Sequence, residues 1–248
     1  MSSKKLKEKT AVFLQVRLNS DRLKEKAFLP LQSKSILQHI IDRLLLAKKL
    51  IDYIVVVCPE EDKIKIQKHL KSYSDIIIFG GETDNVLKRY YDANKLIEAD
   101  IIIRATGDNP LVDIPHLIKA LNFHIKIKND YTIFKNLPLG TGIEVISSYA
   151  LTETFKNADK KYQLEHVTPY IRENKERFKT IFLEPEKFFQ RPDLRLTVDE
   201  ENDYKLMDII YHNLYKNKPI PLKEVLLFLD KNQKLLSINK DVKQIKVP

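Results

Sequence analysis

Residues 100–113 read Asp-Ile-Ile-Ile-Arg-Ala-Thr-Gly-Asp-Asn-Pro-Leu-Val-Asp, an apolar run that turns polar at a glycine. The apolar part, 100–105, has the length and the β-branched composition of a buried strand, and Asp113 can cap a helix that continues to His124. A strand that passes through a polar loop into a helix is half of a parallel βαβ unit. The ligand-facing loop of such a unit follows the carboxyl end of its strand.

The same order of strand and helix occurs three times before this segment. Strand-like runs cover 10–16, 53–58 and 76–79, and apolar residues at helical spacing follow at 35–45, 59–70 and 84–96. Ser35 and Gln38 form a capping box at the start of the first helix. Four such units in about 125 residues predict an α/β fold: a three-layer, Rossmann-like, mostly parallel sheet with helices on both faces.

The second half of the chain is patterned less regularly. Runs at 131–134 and 143–147 flank the loop 136–142, and we interpret 131–147 as a projecting hairpin arm. Helices are expected at 148–157, 163–174 and 202–216, and strands at 179–183 and 193–198. No linker is visible in the sequence, so we expect residues 1–248 to form a single domain. An exposed apolar patch usually marks an interface, so we expect the arm to build a homodimer. The apolar residues of the arm are Tyr131, Ile133, Phe134, Leu137 and Leu139.

Composition excludes several classes of protein. The chain has 43 Lys and Arg against 34 Asp and Glu, but the lysines are dispersed and no nucleic-acid-binding motif occurs. No apolar run is long enough to span a membrane, and the start lacks the apolar core of a signal peptide, so we expect a cytoplasmic protein. Cys58 is the one cysteine, which rules out an internal disulfide or a CxxC site.

Two features could handle phosphate and metal. The loop after the first strand offers Arg17, Arg22, Lys24 and Lys26, whose charged groups suit a polyphosphate, although no Walker A or GxGxxG motif is present. Asp108 and Asp199 each follow an expected strand, and two carboxylates that converge there would bind Mg²⁺. The alternative for Asp199 is a helix N-cap.

Glycine is rare, with five residues in the chain. It is expected where the backbone has an unusual conformation or where something approaches closely, as at Gly107 beside Asp108. Ordinary turns remain the alternative for Gly140 and Gly142.

Five segments resemble one family. Residues 15–26 (QVRLNSDRLKEK) resemble QARxxSxRLxxK, and 81–91 contain a DVLxRYY-like stretch. Residues 104–113 resemble RxTGDxPLxD, 165–170 resemble EHVTPY, and 195–203 resemble RLTVDxxxD. These motifs, in this order, are similar to those of SpsF-like proteins, a branch of the cytidylyltransferases that includes the CMP-Kdo and CMP-sialic acid synthetases. The resemblance extends over roughly residues 10–215.

The resemblance implies a nucleotide-diphospho-sugar transferase type of fold, usually dimeric, and transfer of CMP from CTP to a sugar-type acceptor. By position, it implies that Arg17, Arg22 and Lys26 hold the triphosphate and that Asp108 and Asp199 hold Mg²⁺. On the acceptor side the resemblance implies His166, for which a structural role is the alternative, as is common for a lone histidine on a helix. The other residues that we place around the substrates are Gln15, Asn19, Ser20, Asp84, Arg89, Arg104, Gly107, Glu144 and His166.

The first loop departs from the family pattern. Asn19, Lys24 and Glu25 replace two glycines and a proline, and Asp21 and Glu25 add carboxylates beside the expected triphosphate. An acidic side chain there is unfavourable unless it meets a metal or an arginine.

The leading hypothesis is therefore Mg²⁺-dependent cytidylyl transfer. An acceptor oxygen attacks the α-phosphate of CTP, pyrophosphate leaves, and the product serves surface polysaccharide or glycan assembly. Two alternatives stay open. A glycosyltransferase would use a nucleotide sugar, although no DxD motif is present. A non-catalytic nucleotide-binding protein would fit the altered first loop.

Overall fold

The computed structural model describes residues 8–19 and 22–244. The strands are β1 (Thr10–Gln15), β2 (Pro30–Leu31), β3 (Lys34–Ser35), β4 (Tyr53–Pro59), β5 (Ile76–Gly81), β6 (Ile101–Thr106), β7 (Tyr131–Phe134), β8 (Glu144–Ser147) and β9 (Thr180–Leu183). The helices are α1 (Ile36–Leu45), α2 (Glu60–His69), α3 (Val86–Ile97), α4 (Ile114–Ile127), α5 (Ser148–Asn157), α6 (Lys161–His166), α7 (Pro169–Glu173), α8 (Glu201–Leu214) and α9 (Leu222–Lys231).

One sheet of seven strands runs through both halves of the chain, in the order β5-β4-β1-β6-β8-β7-β9. The four strands β5, β4, β1 and β6 are parallel neighbours, whereas β8 runs antiparallel to β6 and β7. Successive residues of β1 enter two different apolar clusters, Val12 on one face and Phe13 on the other, and helices cover both faces. The predicted three-layer, mostly parallel fold is confirmed.

The prediction of a projecting arm is wrong. β7 and β8 lie inside the sheet, where Thr132 pairs with Val145 and β7 also pairs with β9. Tyr131 is fully buried and Leu137 is 8% exposed, so most of the apolar surface that suggested a dimer arm packs within this chain. The apolar residues of 131–147 did not fit the expected parallel sheet. They enter the sheet because β8 pairs antiparallel with both β6 and β7.

Two expected elements in the second half also differ. The strand expected at 193–198 is a turn at residue 193 followed by irregular backbone with one bridge, between Leu139 and Arg195. The helix expected at 163–174 is divided into α6 and α7 at Val167, whose φ is 69°. Pro169, which has no N–H to donate, begins the second helix. The break places the Thr168 hydroxyl 2.7 Å from Glu144 Oε1, in the site described below.

His124 makes the stability of the fold depend on pH. Burial lowers the pKa of His124 to about 4, and its Nδ1 lies 3.0 Å from Thr132 Oγ1. Between pH 6.5 and 4 the unfolded chain binds this proton and the folded chain does not. Acidification through that window should therefore lower the free energy of unfolding by about 2–3 kcal/mol.

Urea unfolding at a series of pH values measures this effect. His124→Gln should make the free energy of unfolding less dependent on pH. The matched change of an exposed histidine, His212→Gln, should leave this pH dependence unchanged. Parallel curves for all three proteins would show that His124 is not the group responsible.

Candidate active site

The carboxyl ends of β1 and β6 meet closely at Gly107. Its backbone N–H donates to the Gln15 carbonyl at 2.8 Å. A Cβ at this position would lie 3.2 Å from that carbonyl oxygen and 3.0 Å from Val16 Cγ2. The missing side chain thus lets the two strand ends approach each other and brings Asp108 beside the first loop. The approach of a substrate to Gly107, expected from the sequence, stays a prediction.

Lys26 lies at the centre of the site. Its Nζ is 3.0 Å from Asp108 Oδ2 and 2.7 Å from Asp199 Oδ1, and all three side chains are at most one quarter exposed. Lys26 begins a short 3₁₀ turn, Lys26–Phe28, at the end of the first loop. The structure therefore brings together the two carboxylates and the lysine that the sequence placed in one site.

The charges of this cluster stabilise one another. Burial acts to lower the pKa of Lys26, but the two carboxylates outweigh it and raise that pKa above its ordinary value. Burial also opposes ionisation of Asp199, yet Lys26, Arg22 and Arg195 hold the pKa of its carboxyl below the ordinary value. At neutral pH the Asp199 carboxylate is therefore ionised and the Lys26 amine is protonated.

The buried Arg195 holds the Asp199 carboxylate in position. Arg195 Nη2 donates to Asp199 Oδ2 at 2.8 Å, and its Nε and Nη2 donate to the Asp203 carboxylate at 2.8 and 2.9 Å. Asp203 Oδ2 also accepts the backbone N–H groups of Asp199 and Glu200 at 3.0 and 3.2 Å. Glu200 is the N-cap of α8, so the alternative interpretation of Asp199 as the helix N-cap is wrong.

Asn239 contacts both Arg195 and Asp203, and the sequence did not indicate it. Its Nδ2 donates to the Arg195 carbonyl at 3.1 Å and to Asp203 Oδ1 at 2.9 Å. It follows the last helix, far along the chain from the motif, and no residue pattern around it indicates a contact with the site.

The other basic and polar residues described in the first loop are more exposed to solvent than Lys26. Arg22 reaches Asp199 Oδ1 at 3.3 Å and Glu200 Oε1 at 3.5 Å. Arg17 and Asn19 are exposed. Glu25 pairs with Lys65, so one of the two added carboxylates is neutralised locally. Ser20 and Asp21, which the sequence placed near the substrates, lie outside the described residues.

Two residues expected near the substrates, Asp84 and Arg89, follow the end of β5 and differ in exposure. Arg89 is 1% exposed, and its Nη1 donates to the carbonyls of Glu82 and Thr83, at 2.7 Å for Thr83. Asp84 is exposed, and Asn85, not Asp84, caps α3 by accepting the Lys88 N–H at 2.8 Å. In this structure Arg89 supports the loop by holding its backbone.

A second polar group joins β6 to β8. Arg104 lies opposite Glu144 in the register and donates to its Oε2 at 2.5 Å, while Gln15 Oε1 lies 3.4 Å from Arg104 Nη2. Glu144 Oε1 accepts the hydroxyls of Tyr131 and Thr168 at 2.6 and 2.7 Å. Burial would lower the pKa of Arg104 and raise that of Glu144, but their mutual attraction reverses both shifts.

Glu144 has all of its partners within the protein, which indicates a structural ion pair. His166 ends α6 near this pair, and burial lowers its pKa, so its ring is neutral at pH 7.

The carboxylate pair is chemically suited to a divalent cation. The two oxygens that contact Lys26 Nζ are no more than about 5.7 Å apart, the limit set by the two Nζ distances. The position between them already accommodates a positive charge. In the part of the chain that the structure describes, no three His, Cys, Asp or Glu side chains cluster as metal ligands. A cation held by two carboxylates, with water and phosphate as its other ligands, is the pattern usual for Mg²⁺.

Comparison with known sequences places the chain among relatives of similar length. An uncharacterised protein of Methanocaldococcus jannaschii is 39% identical over 234 residues, 93% of this chain and 94% of that protein. The spore coat polysaccharide biosynthesis protein SpsF of Bacillus subtilis is 30% identical over 224 residues, 88% of this chain and 93% of SpsF.

Solved structures show the same fold. A cytidylyltransferase from Leptospira borgpetersenii superposes with a TM-score of 0.86 at 26% identity, covering 97% of this chain and 100% of that one. A CMP-2-keto-3-deoxy-manno-octonic acid synthetase in complex with CTP has a TM-score of 0.64 at 14% identity, covering 83% and 100%. A Mycobacterium tuberculosis protein in complex with manganese has a TM-score of 0.57 at 14% identity, covering 81% and 98%.

None of the described helices is both long and apolar enough to cross a membrane. The profile of the cytidylyltransferase family matches residues 11–245, which include Lys26, Asp108 and Asp199. This chain therefore belongs to the cytidylyltransferase family and is a nucleotidyltransferase.

Proposed function

We propose that this protein transfers CMP from CTP to a sugar-type acceptor in a Mg²⁺-dependent reaction that releases pyrophosphate, and that the whole chain acts as one domain. The observation that carries the proposal is the position of Lys26 Nζ between Asp108 and Asp199, at 3.0 and 2.7 Å. The CTP complex of a protein with this fold supports the choice of nucleotide. The name of SpsF supports an acceptor used in polysaccharide synthesis.

Each group in the site has a distinct task. Asp108 and Asp199 would hold Mg²⁺, which when bound neutralises charge on the phosphates. Arg17, Arg22 and Lys26 would bind triphosphate oxygens through charge-assisted hydrogen bonds. An acceptor oxygen forms the new bond to the α-phosphorus as the bond to the bridging oxygen breaks, and the acceptor proton passes to solvent. Positioning and charge neutralisation supply most of the catalysis.

Lys26 must change partners to do this. In the structure its ammonium contacts both carboxylates, so Lys26 would be released toward a triphosphate where Asp108 and Asp199 hold Mg²⁺ instead. The same site thus links occupancy of the carboxylates to the availability of Lys26. This exchange needs only a rotation of the lysine side chain, whose long stem has several rotamers.

Removal of either basic group should weaken CTP binding. Lys26→Ala or Arg17→Ala should raise the Kd for CTP with Mg²⁺ by about ten- to a hundredfold, since each charge-assisted hydrogen bond contributes about 1.5–3 kcal/mol. Calorimetric titration measures this change, with the exposed Lys71→Ala as the matched control. Unchanged CTP affinity in both loop variants would remove the triphosphate role from the first loop.

The reaction itself is tested by pyrophosphate release. The four nucleoside triphosphates are incubated with acidic and phosphorylated sugars, and release should require CTP and an acceptor together. Consumption of a nucleotide sugar without pyrophosphate release would indicate a glycosyltransferase, and CTP binding without turnover across the panel would indicate a non-catalytic protein.

We retain a homodimer as a proposal on the family resemblance alone, because the apolar residues of 131–147 are mostly buried within the chain. Light scattering at micromolar concentration should give twice the chain mass of 29.1 kDa. A measured mass equal to that of one chain would contradict the proposed homodimer.

A further inference from the structure

The first loop is closed at its base by a contact between its two ends. The Glu25 N–H donates to the Leu18 carbonyl at 3.0 Å, and we call these two residues the neck of the loop. Arg22 lies between them in the chain and Lys26 follows them directly, and both basic side chains contact Asp199. The position of the neck therefore sets where these two basic groups lie.

One face of α2 binds both residues of the neck. The Asp62 carboxylate accepts the Leu18 N–H at 2.8 Å, and Lys65 pairs with the Glu25 carboxylate. Asp62 and Lys65 are three residues apart, so their side chains lie on the same side of the helix. α2 thus holds one neck residue by its backbone and the other by its side chain.

The same face of α2 also contacts the 3₁₀ turn that begins at Lys26. The ring of His69 stacks on the ring of Phe28, with centroids 4.0 Å apart and an angle of 19° between the planes. His69 Nε2 also lies 2.8 Å from the hydroxyl of Ser35, the N-cap of α1. These contacts do not involve Lys65, so we expect the loop to keep its place when Lys65 is replaced.

Glu25 has an unusual backbone for a residue with a side chain. Its φ is 49° and its ψ is 29°, in the left-handed region that glycine adopts at little cost. This backbone accounts for the glycine that the family pattern has at this position. A glutamate here adds a carboxylate directly before Lys26, in the loop that we propose holds a triphosphate.

The ion pair with Lys65 fixes the direction of that carboxylate. It lies against α2, and the Glu25 and Lys65 side chains are 50% and 54% exposed. Without this partner, a carboxylate in the loop would repel the phosphates of a bound triphosphate. Because the pair is at the surface, its effect should be moderate and should weaken as the salt concentration rises.

We propose that Lys65 is a positioning residue for the triphosphate site. By holding the Glu25 carboxylate on α2, it keeps a like charge away from the phosphates of CTP and permits a glutamate where the loop needs a left-handed residue. This role requires the charge of Lys65 and not its exact shape. The inference rests on the proposed binding of CTP by the first loop, and it adds a residue that lies outside all five motifs.

A cycle of charge-removing variants tests the proposal by calorimetric titration of CTP with Mg²⁺. At an ionic strength of about 20 mM, Lys65→Met should weaken CTP binding about three- to fivefold, in the range of exposed charge interactions. Glu25→Gln, and the double variant with both changes, should bind CTP within about twofold of the wild type, since neither contains the carboxylate. Lys65→Arg keeps the charge and should keep wild-type affinity.

Two controls separate this role from a general effect of charge or of folding. Lys68→Met removes an exposed charge from the same helix and should leave the CTP affinity unchanged. At about 0.5 M salt the affinities of the wild type and of Lys65→Met should become equal, because the interaction is then screened.

Two results would overturn the inference. One is an unchanged CTP affinity in Lys65→Met at low salt. The other is a loss of the same size when Lys65→Met is made in the Glu25→Gln background, which would show that Lys65 acts on the phosphates directly or on the fold. Failure of the wild-type protein to bind CTP would instead reject the proposed function.

Discussion

Asp199→Asn and Asp108→Asn are each expected to lower kcat/KM about a thousandfold or more. Both carboxylates contact the same Lys26 Nζ, so each supplies half of the negative charge that would hold the cation. Loss of several kcal/mol of charge stabilisation at the phosphates corresponds to a reduction of this size. Initial rates of pyrophosphate release over a series of CTP concentrations measure the effect.

The fold should survive these changes. In Asp199→Asn, Arg195 keeps its two bonds to Asp203, and Lys26 keeps Asp108. The melting temperature should therefore stay close to that of the wild type, and Asp208→Asn, on the exposed side of α8, should alter neither activity nor stability. Near-normal turnover in both site variants would eliminate the assignment of this pair.

The largest effect on stability is expected from Glu144→Ala. It would leave the Arg104 guanidinium buried without its counter-charge, and would remove the acceptor of the Tyr131 and Thr168 hydroxyls. Breaking a buried ion pair by removing one partner costs about 3–5 kcal/mol. For a chain of this size, that corresponds to a melting temperature lower by about 6–20 °C.

This prediction separates a structural role from the substrate role that the sequence indicated for Glu144. Calorimetric melting of Glu144→Ala is compared with Glu176→Ala, an exposed glutamate in the turn after α7. Replacing both members of the pair, with Arg104→Met and Glu144→Leu together, should restore part of the lost stability. An unchanged melting temperature combined with weaker acceptor binding would show that Glu144 binds the substrate and is not needed for stability.

The features that the sequence predicted well are local. The helix at 148–157 is found as α5, and the Ser35–Gln38 capping box is present as expected. Asp113 caps α4 by accepting the His116 N–H at 3.2 Å. These elements depend on spacing and on capping side chains within a few residues, which a sequence displays directly.

The features that it missed depend on partners distant in the chain. The placement of β7 and β8 inside the sheet is decided by pairing with β6 and β9, and apolar residues alone do not distinguish that from an exposed arm. Asp108 was predictable as a site residue because it follows the carboxyl end of a parallel strand, β6. Asp199 follows a segment with one bridge and no strand, and the family motif at 195–203 indicated its place. The contact of Asn239 with Asp203 was not predictable, since it joins a segment after α9 to the start of α8.

We propose that Asp108 and Asp199 form a cation site that governs CTP binding. Calorimetric titration of CTP, with Mg²⁺ and with EDTA, into wild-type protein and into Asp199→Asn tests it directly. We expect the wild type to bind CTP at least about tenfold more tightly with Mg²⁺ than with EDTA, and Asp199→Asn to lose this difference. Equal CTP affinity with and without Mg²⁺ in the wild type, or an undiminished Mg²⁺ effect in Asp199→Asn, would contradict it.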